Sequence, residues 1–136
     1  MCNGVTHPRN VFYMAIEHLT KKEFLAKVAK AGSAPGSFVF LGDKAAVIDF
    51  YADWCPPCNA LAPIFAELAD EYDEKVDFYK VNVDEENELA ALFDIRSIPT
   101  LILFARDGHL QRVVGALDRA HLKRLVEGLL PAEAQL

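Results

Sequence analysis

Two cysteines stand three positions apart in the sequence, Cys55 and Cys58, and the residues between them are Pro56 and Pro57. A thiol pair at this spacing has three common uses in proteins. It forms a structural disulfide, contributes to a zinc site, or acts as a dithiol that exchanges electrons with other disulfides. Each use makes different demands on the rest of the chain.

The first two uses find little support in the sequence. A disulfide between these cysteines closes a very short loop, which removes little entropy from the unfolded chain and stabilises weakly. A structural zinc ion usually needs four ligands. The other candidate ligands are single residues without zinc-site spacing, at Cys2, His7, His18, His109 and His121. The sequence therefore predicts no metal site and favours the redox dithiol.

A redox dithiol is typical of a junction between a strand and a helix, where helix N–H groups and the helix dipole favour the attacking thiolate. The upstream run AAVIDFYA is apolar and β-branched, which indicates a strand buried on both faces. Pro56 and Pro57 suit a first helical turn, where backbone N–H groups lack helical partners. We therefore expect Cys55 to be exposed and to attack a substrate disulfide, and Cys58 to resolve the mixed disulfide.

A single carboxylate, Asp49, interrupts the apolar strand. One interpretation is that it faces solvent. The other is a buried acid, since its neighbours on both faces are apolar; burial would raise its pKa and let it accept the proton of Cys58. Lys80, inside the apolar segment FYKVNV, is a candidate charge neighbour for Asp49. Trp54 is expected to shield one side of the thiol pair, with packing in the core as the simpler alternative.

Strands and helices alternate around this pair. Thr20 and Glu23 form a capping box at the start of a helix that we expect to end at Gly32. A short strand is predicted near Val11 to Ile16, and another at Phe38 to Leu41. The helix after the cysteines should run from about Pro57 to Tyr72 and be kinked at its internal Pro63.

Downstream, the segments VDFYKVNVD, TLILFA and LQRVVGA read as strands, and the last two are joined by an Asp-Gly hairpin turn. ENELAALFDI reads as a short helix, and Asp118 caps a final amphipathic helix. Alternating strands and helices imply parallel pairing, and the hairpin adds antiparallel strands. The fold class is therefore α/β, with a central mixed β-sheet flanked by helices on both faces.

The 136 residues fit one domain, which we place at 20–136 with an N-terminal extension at 1–19. The net charge of −6 and scattered basic residues argue against a nucleic-acid partner. No apolar run reaches the ~18–20 residues of a transmembrane segment. We expect a monomer, with the compartment open: cytoplasmic by default, or periplasmic with a lipid anchor on Cys2.

The pattern of motifs resembles the thioredoxin family. The landmarks occur in the family's order over about residues 38 to 130: VIDFYADWCPPC, Pro63, YKVNVDE, IRSIPTLILF, DGH and VGA. The resemblance implies the thioredoxin fold and a protein-disulfide reductase without a cofactor. Its partners would be protein disulfides and a reductase or membrane electron donor that recharges the dithiol. An oxidant or isomerase of secreted proteins, and a non-catalytic binding subunit, are the alternatives.

The resemblance also implies roles for single residues. Asp49 would deprotonate Cys58 through a water molecule, with Lys80 as its neighbour. Pro99 matches the family's cis-proline beside the disulfide, and Ile98 before it would pair with an extended substrate segment. The residues matching the docking surface around the cysteines are Trp54, Pro56, Pro57, Ile98, Pro99, Gly115 and Ala116.

The chain departs from the family pattern beside the cysteines. Pro56 stands where glycine is usual, Tyr51 where tryptophan is usual and Asn59 where lysine is usual. Proline has no N–H, so the Cys55 thiolate loses a possible donor at position 56. We therefore expect a stiffer loop and a less stabilised Cys55 thiolate than a glycine at position 56 would give.

Overall fold

The structure is a computed structural model and describes residues 16–131. Cys2, and all but the last residue of the strand predicted near Val11 to Ile16, lie outside the described residues. The first described strand follows at once: β1, Glu17–His18. Ile16 and Leu19 on either side of it are buried, so residues 16–19 of the expected extension pack with the sheet.

A mixed central sheet carries the fold, as the alternating pattern predicted. Its strands are β1, β4 (Ala45–Tyr51), β5 (Val76–Asn82), β6 (Thr100–Phe104) and β7 (Leu110–Val114), in the order β1-β5-β4-β6-β7. β5 pairs in parallel with both β1 and β4, while β6 pairs antiparallel with β4 and β7. β4, which leads to the cysteines, is therefore the central strand.

The first helix is shorter than expected. α1 spans Lys21–Lys27, and the predicted capping box of Thr20 and Glu23 is present at its start. Ala29–Ala31 then forms a strand, β2, which pairs antiparallel with β3 (Phe38–Phe40) as a separate two-stranded sheet. The prediction of a helix continuing to Gly32 is wrong because strand pairing with β3, together with burial of Ala29, overrides the helical spacing.

The other helices are α2 (Pro56–Glu71), α3 (Asn87–Leu92) and α4 (Arg119–Glu127). Asp118 caps α4 through a bond from the His121 N–H, as predicted. α2 contains Pro63 within its length. α2 and α4 pack on one face of the sheet against Val47 of β4. α1 and α3 pack on the other face against Ile48 and Phe50.

Strand alternation assigns Asp49 to a face. Side chains along a strand point to opposite faces in turn, so Asp49 projects from the same face as Val47. This is the face that α2 covers, with Leu61 and Phe65 packed in the same core cluster as Val47. Cys58 precedes Leu61 by three residues and so lies on the same side of α2.

Candidate active site

The two cysteines lie at the junction of a strand and a helix, as the sequence predicted. β4 ends at Tyr51 and α2 begins at Pro56, so Cys55 is the N-cap residue of α2. The sulfurs of Cys55 and Cys58 are joined as a disulfide. The Cys58 backbone N–H donates to Cys55 Sγ at 3.3 Å, which is the bond that an N-cap side chain normally accepts.

Cys55 is less accessible than expected. It is 3% exposed and Cys58 is 2% exposed, so in the disulfide form the prediction of an exposed first sulfur is wrong. The reason is local packing: both cysteines form a small cluster with buried Ala52 and with half-buried Tyr51 and Ile98. Pro56 and Pro57, which lie between the cysteines, are exposed, so the surface of this loop is accessible although the sulfurs are buried.

Asp49 is fully buried, at 0% exposure, so the interpretation that it faces solvent is wrong. Neither of its carboxylate oxygens accepts a hydrogen bond from the described residues. Lys80 Nζ lies 3.8 Å from Asp49 Oδ2, which confirms the predicted charge neighbour. Burial raises the pKa of Asp49 to about 6, and the Lys80 charge opposes part of that rise. The acid therefore titrates in the range where a proton acceptor for a thiol is useful.

Trp54 is exposed rather than packed in the core. The side chain is 68% exposed, and its Nε1–H donates to Asp84 Oδ2 at 2.8 Å. Asp84 lies just after β5, where its N–H bonds the side-chain oxygen of Asn82. A turn residue of another strand thus holds the indole on the surface beside the cysteine loop. The single sequence offered no signal that paired Trp54 with Asp84.

The segment before β6 lies beside the first cysteine. Cys55 Sγ is 3.9 Å from the carbonyl oxygen of Ile98, and the Ile98–Pro99 peptide bond is cis, as the family resemblance implied. The carbonyl of Pro99 accepts a hydrogen bond from the Gly115 N–H at 2.9 Å. Thr100 Oγ1 donates to the Ser97 carbonyl at 2.6 Å. The first bond ties the segment to the residue that follows β7, and the second closes a turn within the segment.

The residues expected to form a docking surface do not share one environment. Pro99 is buried, Ile98 and Gly115 are half-buried, and Ala116 is exposed. Val114, which precedes Gly115 and was not among the residues predicted from the sequence, is 57% exposed. The pair of valines that ends the segment LQRVV is the signal that could have identified it, because adjacent strand residues face opposite sides of the sheet.

The described part of the chain contains neither a metal-binding cluster nor a helix that could span a membrane. Within residues 16–131, no group of three or more His, Cys, Asp or Glu side chains is arranged to hold a metal ion. Across the same range, no helix has the length and apolar composition needed to cross a membrane.

Comparison with known sequences gives the family. The sequence model named Thioredoxin matches residues 15–128. The chain belongs to the thioredoxin family. Family membership, together with the adjacent sulfurs of Cys55 and Cys58, makes it a thiol–disulfide oxidoreductase with a thioredoxin fold.

Several thioredoxins are similar to this family member over most of its length. Thioredoxin of Borreliella burgdorferi is 37% identical over 114 residues, which are 84% of this chain and 96% of the relative. Thioredoxin 1 of a Nostoc species is 40% identical over 85 residues, 62% of this chain and 79% of the relative. The chloroplastic M-type thioredoxin of Spinacia oleracea is 38% identical over 93 residues, 68% of this chain and 51% of the relative.

Proposed function

We propose that this thioredoxin-family protein reduces protein disulfides through Cys55 and Cys58. The observation that carries the proposal is the placement of both sulfurs at the start of α2, over the sheet face that holds buried Asp49. The start of a helix favours a thiolate. A carboxylate on the covered side of the same helix supplies a proton acceptor for the second thiol.

In the first step, the Cys55 thiolate attacks one sulfur of a substrate disulfide. A bond forms between Cys55 Sγ and that sulfur, the substrate S–S bond breaks, and the released substrate thiolate takes a proton from water. In the second step, the Cys58 thiol gives its proton to Asp49 and the resulting thiolate attacks Cys55 Sγ. The mixed disulfide breaks, the second substrate thiolate leaves and takes a proton, and the Cys55–Cys58 disulfide remains. Two electrons have passed to the substrate.

The substrate segment would lie over the exposed surface around the cysteines. Trp54, Pro56, Pro57 and Ala116 supply exposed apolar contacts, and the Ile98 carbonyl beside Cys55 Sγ is placed for backbone pairing. Half-buried Gly115 and buried Pro99 are hydrogen-bonded to each other, and exposed Val114 precedes Gly115. Such a surface suits a protein substrate, since it offers a backbone carbonyl and apolar side chains.

The direction of flux separates the reductase from its enzymatic alternative, an oxidant or isomerase of secreted proteins. A reductase needs a partner, either a reductase enzyme or a membrane electron donor, to return two electrons to the disulfide. Equilibration with glutathione measures the reduction potential: a value of about −270 mV supports the reductase, and one of about −120 mV supports the oxidant.

Two serine substitutions test the assigned roles. Cys58→Ser should trap mixed disulfides, because Cys55 still attacks and no thiol resolves the product. Cys55→Ser is the matched control and should trap nothing and reduce no protein disulfide. The measurement is non-reducing electrophoresis after incubation with a protein disulfide such as insulin. Equal trapping by both variants would overturn the order of attack, and turnover by Cys55→Ser would overturn the mechanism.

A binding subunit that only uses this surface is the third possibility. It predicts that Cys55→Ser keeps full function with its partner. Loss of that partner function in Cys55→Ser contradicts it, whereas insulin reduction by the unsubstituted protein is compatible with a binding subunit that keeps incidental redox chemistry.

A further inference from the structure

We propose that Tyr51 and His18 are positioning residues that hold the Lys80 ammonium beside Asp49. The inference rests on the proposed role of Asp49 as the proton acceptor for Cys58. It concerns residues on three neighbouring strands, one of which, β1, belongs to the segment before the first helix.

His18, Lys80 and Asp49 form one row across the sheet. In the parallel pairing of β1 with β5, His18 is opposite Lys80, and in that of β5 with β4, Lys80 is opposite Asp49. Residues at paired positions project from the same face of a sheet. On the far side of Asp49, the paired residue of β6 is the apolar Leu101. The ammonium of Lys80 is therefore the charged neighbour of Asp49 within this row.

Tyr51 lies across the row. It follows Asp49 by two residues in β4 and so projects from the same face. Lys80 Nζ lies 4.3 Å from the centre of the Tyr51 ring, and the Tyr51 hydroxyl is 3.3 Å from His18 Nδ1. The rings of His18 and Tyr51 also meet edge to face, with centres 6.0 Å apart. The phenol thus starts on β4, covers the ammonium on β5 and ends at the imidazole on β1.

This arrangement explains what places the ammonium. The distance of 3.8 Å between Lys80 Nζ and Asp49 Oδ2 is too long for a hydrogen bond, so the carboxylate does not fix Lys80 by itself. A cation over an aromatic ring is held by the electron density of the ring face. The hydroxyl contact with His18 in turn restrains the ring, in addition to the Asn82 side chain and the packing of Tyr51 against the cysteine cluster.

Position matters here because Asp49 is fully buried and Lys80 is largely buried. The Lys80 side chain is 14% exposed and Asp49 is 0% exposed, so a small displacement of the ammonium changes their attraction strongly. Lys80 lowers the pKa of Asp49 against the rise that burial causes. The other anionic groups that act on Tyr51 are Asp53 and Glu85.

The test is the titration of Asp49 in the oxidised protein, followed by carbon-13 NMR of its carboxyl group. Disulfide formation removes both active-site thiols from the titration. Lys80→Met should raise the pKa of Asp49. Tyr51→Phe keeps the ring and removes the hydroxyl, and His18→Ala removes the imidazole that the hydroxyl contacts. Each substitution should raise the pKa of Asp49 by about half a unit.

Double variants show whether the effect acts through the hydroxyl contact and through Lys80. Tyr51→Phe combined with His18→Ala should shift the pKa of Asp49 no further than either substitution alone. In a Lys80→Met background, Tyr51→Phe should cause no shift. Lys80→Met raising the pKa while Tyr51→Phe and His18→Ala leave it unchanged would overturn the positioning role, and so would a Tyr51→Phe shift that persists without Lys80.

Separate measurements detect a failure of the Tyr51 and His18 roles and a failure of the proposed reductase mechanism. If Asp49→Asn resolves mixed disulfides as fast as the unsubstituted protein, Asp49 is not the proton acceptor, whereas the titration still reports on Lys80. If the titration behaves as expected and Asp49 is the acceptor, Tyr51→Phe should move the midpoint of the pH–rate profile for resolution upward by the same half unit.

Discussion

The backbone N–H of Cys58 donates to the sulfur of Cys55 at a distance of 3.3 Å. Cys58 is the third residue of α2, and the first two are Pro56 and Pro57. An N-cap side chain accepts from the second or third residue of its helix. The hydrogen bond that Cys55 Sγ lacks is therefore the one from the N–H of residue 57. The sequence alone had suggested the N–H of residue 56.

Pro57→Ala should consequently stabilise the Cys55 thiolate more than Pro56→Ala does. The new N–H at position 57 can point at the sulfur, while that at position 56 cannot reach it from the first helical position. The measurement is the rate of alkylation of the reduced protein by iodoacetamide as a function of pH. The midpoint should fall in Pro57→Ala and change less in Pro56→Ala; the reverse order would show that loop stiffness, rather than the donor, governs the thiolate.

Gly115 is expected to tolerate no side chain, for a backbone reason. Its φ is +101°, although an added Cβ would meet no atom within 4 Å. Gly115→Ala should therefore destabilise the protein by about 1–3 kcal/mol, the usual range for a residue forced into such a conformation. The Gly115 N–H bonds the Pro99 carbonyl, so relaxation of the strain should shift the Ile98–Pro99 segment beside Cys55. Insulin reduction should therefore also slow. Urea denaturation gives the free energy of unfolding.

Gly128→Ala is the control for that substitution. Gly128 has φ −64° and ψ −16°, which alanine adopts without strain, and a Cβ there would be 3.4 Å from two backbone oxygens. The free energy of unfolding should stay the same or rise slightly, because alanine reduces the freedom of the unfolded chain. Equal losses in the two variants would mean that φ is not the cause at Gly115.

The contact of Trp54 with Asp84 should be visible by fluorescence, since Trp54 is the single tryptophan of the chain. Asp84→Ala removes the acceptor of the indole N–H, so the side chain should gain freedom and its fluorescence anisotropy should fall. The free energy of unfolding should change by less than about 1 kcal/mol, as is usual at an exposed site. Asp53→Ala, next to Trp54 in sequence, is the control. Unchanged anisotropy in Asp84→Ala would show that the bond does not orient the indole.

Local patterns predicted the parts of the fold that depend on local chemistry. Residues adjacent in sequence were enough to predict β4 and the helix after the cysteines. They were also enough to predict the capping box at Thr20 and the N-cap at Asp118. β2 did not, because Ala29–Ala31 becomes a strand only through pairing with Phe38–Phe40. Its composition alone resembles the helix that precedes it.

The candidate site divides in the same way. Spacing identified Cys55 and Cys58, and the apolar neighbours of Asp49 were the reason for the interpretation, one of two, that it is buried. In both cases the information comes from residues close by in the sequence. The contact between Tyr51 and His18 joins residues 33 positions apart on strands that are not adjacent, so no local pattern reveals it. The burial of Cys55 likewise depends on Ile98, which lies 43 residues away.

Burial of Asp49 should make the resolution step depend on pH. Its pKa is raised to about 6, chiefly by burial, so the carboxylate that we propose as the acceptor of the Cys58 proton is present above that pH and is lost below it. Rapid mixing of a preformed mixed disulfide should show the resolution rate falling as pH drops through about 6. In Asp49→Asn the rate should be lower at pH 7 and should lack this inflection. An unchanged inflection in the variant would assign it to another group.

The same carboxylate should cost stability at neutral pH. The folded protein holds the Asp49 proton more tightly than the unfolded chain does, since the pKa is about 6 when folded and 3.8 in the reference state. The free energy of unfolding therefore falls as pH rises from about 4 to about 6, by up to about 3 kcal/mol for a shift of roughly two units. Asp49→Asn should remove this loss, so the variant should be more stable than the unsubstituted protein at pH 7 and the advantage should shrink towards pH 4. Urea denaturation of the oxidised protein at both pH values measures the difference, with exposed Asp70→Asn as the matched control. A variant less stable at pH 7 would mean that the attraction between Asp49 and Lys80 outweighs the burial of the charge.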